Sequence, residues 1–195
     1  MIYTKTNFLW NTLIRKIIFF TKGGILLMSQ FKTLQATELT NNTFEMIGNQ
    51  WMLVTAKDGD KINAMTASWG GLGIMWGKNV AFLVIRPQRY TKEFIDVSNT
   101  LSLSFLGSQY KKTLSYFGSV SGRDEDKIAK SGLTVLEKDT VPYFEEAETV
   151  LICKKLFAQD WNKDAFLEKE LLEKWYPDED YHTLYVVEIE KVLQK

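Results

Sequence analysis

From Thr43 onward, apolar and polar positions alternate over short windows separated by turn signals, which predicts short strands in preference to long helices. Asp58-Gly59-Asp60, Gly77-Lys78-Asn79 and Ser131-Gly132 are such turns. Trp51 to Thr55 and Asn63 to Ser68 flank the first of them as a hairpin. Val80 to Ile85 is apolar throughout and therefore needs cover on both faces, as a closed barrel or a dimer seam would provide. Leu101, Leu103 and Phe105 alternate with serines, and two later strands are expected at Thr149 to Gln159 and Thr183 to Val192.

Helical periodicity is confined to short stretches. Thr91 to Val97 can start with Thr91 as cap, Gln109 to Phe117 follows Ser108, and Asp124 to Lys130 follows Ser121, with Asp124 at the capping-box spacing. The longest predicted helix, Trp161 to Trp175, puts Leu167, Leu171 and Trp175 on one stripe before Pro177 stops it. The expected class is mainly β with short helices.

At 195 residues and 45% hydrophobic content, the chain suits one domain with one substantial core. Its 24 basic and 24 acidic residues give no field that would draw nucleic acid. One cysteine, Cys153, and one histidine, His182, form neither a structural zinc site nor an intrachain disulfide framework, which fits a cytoplasmic setting. Cys153, beside Leu151, Ile152 and Leu156, reads as a small core residue.

Residues 1–27 stand apart, with Lys5, Arg15, Lys16 and Lys22 and no acid. Lys22 and Gly23-Gly24 break the apolar run from Leu13 to Leu27, so neither a secretory signal nor a membrane span is expected. Lys22-Gly23-Gly24 is what a purine-rich ribosome-binding sequence spells when translated. Met28 is therefore the expected start, with the domain covering residues 28–195.

The chemistry concentrates in two runs. Asn63-Ala64-Met65-Thr66-Ala67-Ser68-Trp69-Gly70-Gly71 ends one strand with hydroxyls and small residues, and Arg86-Pro87-Gln88-Arg89-Tyr90-Thr91 ends another with guanidinium groups. Together they suit a flat, phosphorylated molecule, because phosphate accepts from Arg, hydroxyl and N–H donors while small residues let backbone approach a ring. Bland alternatives stand beside this: Arg86 and Arg89 as surface ion-pair partners, Trp69 as core, Gly70, Gly71 and Gly73 as a bend or bulge, and Ser121 with Asp124 as a plain helix start.

From about Gln35 to its end the chain resembles the flavin reductase-like, or flavoredoxin, family of FMN-binding split barrels. The resemblance rests on Trp51 to Ala56, the two runs above, Ser119-Val120-Ser121-Gly122-Arg123-Asp124, and His182-Thr183-Leu184-Tyr185-Val186-Val187-Glu188-Ile189. It implies a Greek-key barrel, a homodimer and one FMN per subunit at or near the interface. By the same resemblance Thr66, Ala67, Ser68 and Trp69 line the ring and ribityl chain, with Asn63, Met65 and Gln88 as further cofactor-binding candidates. Arg86, Tyr90 and Thr91 take the phosphate end, where Arg86→Ala is expected to weaken FMN binding by about one to two orders of magnitude. Ser121 and Arg123 are further candidates for contact with the phosphate or an incoming nicotinamide nucleotide. His182 matches a histidine placed near flavin or nicotinamide, although the usual Gly-Asp before it is replaced by Asp180-Tyr181.

The activity implied is an oxidoreductase in which NADH or NADPH reduces bound FMN, which passes electrons to free flavin, a metal complex or a protein. A flavoredoxin-type carrier fed by another redox protein, and a flavin-binding module without turnover, are the alternatives.

Overall fold

The computed structural model describes residues 20–21, 24–25 and 31–195. Met28 lies outside the described residues, so the expected start does too. Two short strands, β1 (Phe20–Thr21) and β2 (Gly24–Ile25), pair with each other. The main sheet contains β3 (Lys32–Leu34), β4 (Met52–Asp58), β5 (Lys61–Ala67), β6 (Gly70–Met75) and β7 (Lys78–Ile85). Helix α1 (Tyr90–Val97) leads to β8 (Thr100–Leu106), and α2 (Lys111–Ser119) and α3 (Lys127–Ser131) follow. The hairpin of β9 (Val135–Lys138) and β10 (Val141–Phe144) precedes β11 (Ala147–Asp160), α4 (Lys169–Trp175) and β12 (Thr183–Gln194).

All pairings are antiparallel, and the neighbours run β5-β4-β8-β11-β12-β7-β6, with β3 added beside β12. The non-sequential order is what Greek-key connections produce. The two ends of this path, β5 and β6, are consecutive in the chain and joined only by Ser68-Trp69. The curled sheet thus comes together without a ladder between them among the described residues, which makes a split barrel.

Alternate residues of the strands serve two cores. Met52, Val54, Ala56, Leu101, Leu103, Phe105, Leu151, Cys153 and Tyr185 fill the barrel. Leu53, Leu106, Val150 and Ile152 face outward and are covered by Leu114, Phe117 and the β9–β10 hairpin. This second layer explains why Ser102 and Ser104 are buried, where plain alternation suggests a wet face. Ser102 donates to the Pro142 carbonyl at 2.6 Å. Cys153 is fully buried, and burial pushes its thiol pKa up, which removes thiolate chemistry at neutral pH. Along β7, Ala81, Leu83 and Ile85 enter the barrel core. Phe82 and Val84, on the opposite side, are only half-buried, while Val80 on that side is fully buried.

Several expected elements are displaced. Helix α1 starts at Tyr90, and Thr91 lies inside its first turn, fully buried, with its hydroxyl accepting from the Asn63 amide at 2.9 Å. It cannot cap the helix it was expected to open. Gln109 falls in a 3-10 turn, and the α-helix proper begins at Lys111. The helix expected from Asp124 begins at Lys127, because Asp126 supplies the cap by accepting from the Ala129 N–H at 3.0 Å. Ser121 instead closes a turn, accepting from the Arg123 N–H.

The long helix expected from Trp161 to Trp175 is broken into a 3-10 turn at Lys163–Ala165 and α4. Its first residue is taken by the sheet, since the Trp161 N–H donates to the His182 carbonyl. Phe166 is drawn onto Trp161 and Tyr176. Consequently Leu167, Leu171 and Trp175 remain exposed. Strand β6, the β9–β10 hairpin and a π-helical segment at Glu45–Gln50 were not expected from the pattern. Among the described residues no helix is long and apolar enough to cross a membrane.

Candidate functional site

A cavity of about 250 Å³ lies at the end of β5, beside the Ser68-Trp69 link to β6. Met65, Thr66 and Ala67 from β5 and the connecting Ser68 and Trp69 form one wall. Val84 and Arg86 from the end of β7, Arg89, Trp175 and His182 complete it. A narrower cleft of about 90 Å³ adjoins it and shares Met65 and Arg89. Gln88, Tyr90, Thr91, Ser119, Val120, Ser121, Gly122, Phe117 and Lys127 line this second space. The pair forms a wide end suited to a ring and a narrow end suited to a small polar group.

The narrow end is cationic. Arg89 donates to the Gly118 carbonyl at 2.7 Å, and Lys127 to the Phe117 carbonyl at 3.1 Å. These bonds cap the end of α2, yet among the described residues neither cation has a carboxylate partner. Lys127 is only 4% exposed. Burial, with Arg89 adding to it, pushes its ammonium pKa down to about 8. Burial and then Arg86 lower that of Arg89. Two cations that line one narrow cleft without a carboxylate partner among the described residues suit an anion.

The loop bordering that end rests on Asn63. A Cβ at Gly122 would lie 2.3 Å from the Asn63 side-chain oxygen, so the backbone approaches as closely as only glycine allows. Asn63 itself is buried and holds Thr91, and both therefore support the cleft from beneath. Arg123 lines neither space; it pairs with Glu93, donates to the Gln88 carbonyl at 3.1 Å and lies over the Tyr90 ring.

At the wide end the Thr66 hydroxyl donates to the Leu114 carbonyl at 2.5 Å, while Ser68 carries no side-chain bond among the described residues. Trp69 is 37% exposed and meets Trp175 edge-on at 5.0 Å between ring centroids. Arg86 pairs with Asp180, donates to the Trp175 carbonyl at 2.6 Å and lies over the Tyr176 ring. Gln88 donates to the same Asp180 oxygen at 2.6 Å. Arg86 and Gln88 thus clasp the stretch from Trp175 to Asp180 onto the end of β7.

His182 stands between Trp69 and Trp161, at 5.3 and 5.5 Å between ring centroids, with Nδ1 2.7 Å from the Tyr176 hydroxyl. Burial, then Arg86 and Arg89, outweigh Asp180 and push its pKa down to about 4. The imidazole is neutral at physiological pH. As pH falls from 6.5 toward 4 the unfolded chain takes up a proton that the fold refuses, so stability falls across that window. At about 1.4 kcal/mol per pKa unit, and discounting for solvent, the loss is on the order of 2 kcal/mol. Denaturant titrations between pH 7 and 4.5 are expected to show a shallower acid loss for His182→Gln than for the parent chain.

Lys127, Trp175, Val84 and Gly122 were not anticipated. Trp175 was read as one apolar stripe of a helix, and nothing local marks Lys127, whose burial depends on where α2 and α3 pack.

Residues 44–195 match the flavin reductase like domain family. No curated protein matches the chain. Among solved structures, an FMN-binding domain of a flavin reductases-like enzyme from Shewanella baltica OS155 superposes with a TM-score of 0.63 at 16% identity, over 85% of this chain and 77% of that one. Flavoredoxin of Desulfovibrio vulgaris (Miyazaki F) gives 0.57 at 23% identity, over 73% and 67%. A Streptomyces globisporus NADH:FAD oxidoreductase, in complex with NAD and FAD fragments, gives 0.57 at 14% identity, over 75% and 74%.

Proposed function

The chain belongs to the flavin reductase-like domain family, and from that premise we propose that it is an FMN-binding oxidoreductase whose bound flavin takes electrons from NADH or NADPH. The observation that carries this reading is the pair of joined clefts, a 250 Å³ space walled by Trp69, Trp175 and small residues, and a narrow one holding Arg89 and Lys127 without a carboxylate. A flat ring joined to a phosphate has that shape and charge.

Arg89, Lys127 and the backbone of Ser119 to Gly122 would hold the phosphate. The backbone of Thr66 to Trp69 and the Ser68 hydroxyl would meet the ring and ribityl chain. Arg86, paired with Asp180, keeps Trp175 in place at the rim. The flavin, when bound, supplies the hydride and single-electron chemistry, so the protein needs to bind, orient and tune it. Trp69 and Trp175 restrict water at the ring end. We also propose that the half-buried Phe82 and Val84 face is covered by a second copy, giving a homodimer.

Stopped-flow mixing of the FMN-loaded protein with NADH and NADPH tests the donor. Bleaching of the flavin within seconds by at least one of them is expected. Flavin that stays oxidised with both, yet is reduced by a reduced redox protein, would replace the nicotinamide reading with that of an electron carrier.

A further inference from the structure

Tyr176 is 4% exposed and its hydroxyl has one partner among the described residues, Nδ1 of His182. We propose that Tyr176 is a positioning residue that fixes His182 in the tautomer protonated on Nε2, so that a neutral imidazole presents an N–H donor to the acceptor edge of a flat ring in the cavity. Only the identity of that ring, FMN, rests on the function proposed above.

The assignment follows from counting protons. Were Nδ1 protonated and donating to the tyrosine oxygen, the tyrosine's own proton would be stranded in a buried place, which is costly. If Tyr176 donates, Nδ1 must accept, and a neutral imidazole then carries its hydrogen on Nε2. Among the described residues Nε2 has no protein partner, and it is not among the sealed polar atoms that lack one. His182 lines the cavity, so this free N–H is available to a ligand there.

An imidazolium fails the same count, because a protonated Nδ1 would again strand the tyrosine hydrogen. Its surroundings agree: Arg86 and Arg89 line the same cavity and disfavour a second positive charge, and one oxygen of Asp180 is taken by Arg86 and Gln88. His182 therefore acts as a fixed donor and not as an acid. A donor at that position stabilises an atom that gains negative charge when the ring is reduced. Tyr176 is itself held by Trp161, Phe166, Tyr181 and the Arg86 guanidinium, all in or clasped to the stretch between β11 and β12. That stretch thus supplies the residue that orients the histidine.

His182 is the chain's one histidine, so its ring can be read without assignment ambiguity. Long-range proton–nitrogen NMR on the full chain without added flavin, at pH 7, is expected to show a protonated Nε2 and an unprotonated Nδ1. Tyr176→Phe is expected to mix the two tautomers while near-ultraviolet circular dichroism stays native. In the FMN-loaded protein the same substitution should move the flavin midpoint potential negative, since a mobile imidazole stabilises the reduced ring less. A protonated Nδ1 in the parent chain overturns the proposal, and that readout stands even if the variant does not fold. An unchanged tautomer or an unchanged potential in a folded Tyr176→Phe overturns it too. Failure to bind FMN, with the tautomer as stated, sinks the flavin reading and leaves the role of Tyr176 intact.

Discussion

Arg89→Leu is expected to weaken FMN binding by about two orders of magnitude, and Arg89→Leu combined with Lys127→Met by more than either substitution alone. A charge-assisted hydrogen bond contributes roughly 1.5 to 3 kcal/mol, which is about ten- to more than a hundredfold in affinity. Arg89 borders both clefts, so it is the cation whose loss is felt along the whole ligand. Lys127 and Arg89 repel each other and are poorly hydrated. Lys127→Met should therefore leave the ligand-free fold as stable as before, or more so, while weakening FMN. That split between stability and affinity distinguishes an anion site from a helix cap. Arg86→Ala, expected from the sequence to cost one to two orders, is here expected to cost less than tenfold, because its guanidinium is already committed to Asp180 and the Trp175 carbonyl. Isothermal titration with FMN reads the affinity of all four variants.

The largest loss of stability is expected at Gly70. Its φ is +137°, and a Cβ built there would lie 2.1 Å from the Phe82 carbonyl oxygen. Both the strain and the clash are between backbone groups, so no rotamer relieves them. Gly70→Ala must either distort the β6–β7 ladder, which pairs Gly70 with Leu83, or detach the strand end beside Trp69. Strained backbone and overpacking each cost about 1 to 3 kcal/mol, so a loss of about 3 kcal/mol or more is expected. Gly48, with nothing within 4 Å of a Cβ, is the control, and its alanine variant should stay within about 0.5 kcal/mol. Urea midpoints for the two variants check both.

The strands were legible because their signal is local. Trp51 to Thr55 and Asn63 to Ser68 flank the turn at Gly59 in the sequence, and the hairpin is found there, Met52–Asp58 pairing with Lys61–Ala67. Helix starts were less so, since Asp126 competes with Ser121 for the cap role and only tertiary placement decides between them. The stretch after β11 misled most: its helical period is real, but pairing of Trp161 with His182 and the packing of Phe166 override propensity. At the site, Met65 to Trp69 and Arg86 to Thr91 do converge, as their residue types suggested. What they do individually was not legible. Which arginine meets an internal carboxylate depends on Asp180, 94 residues away from Arg86, and a lysine in Asp126-Lys127 reads as surface until α2 is packed over it.

The central claim is that the two clefts form one flavin mononucleotide site. Titration of the purified chain with FMN, followed by quenching of flavin fluorescence, tests it most directly. The expected result is saturation at one FMN per chain in the parent protein, strong weakening in Arg89→Leu and Lys127→Met, and little change in Arg123→Ala, whose guanidinium is held by Glu93. Absence of saturable binding in the parent chain, or equal affinity in the parent and the Arg89 and Lys127 variants, contradicts it.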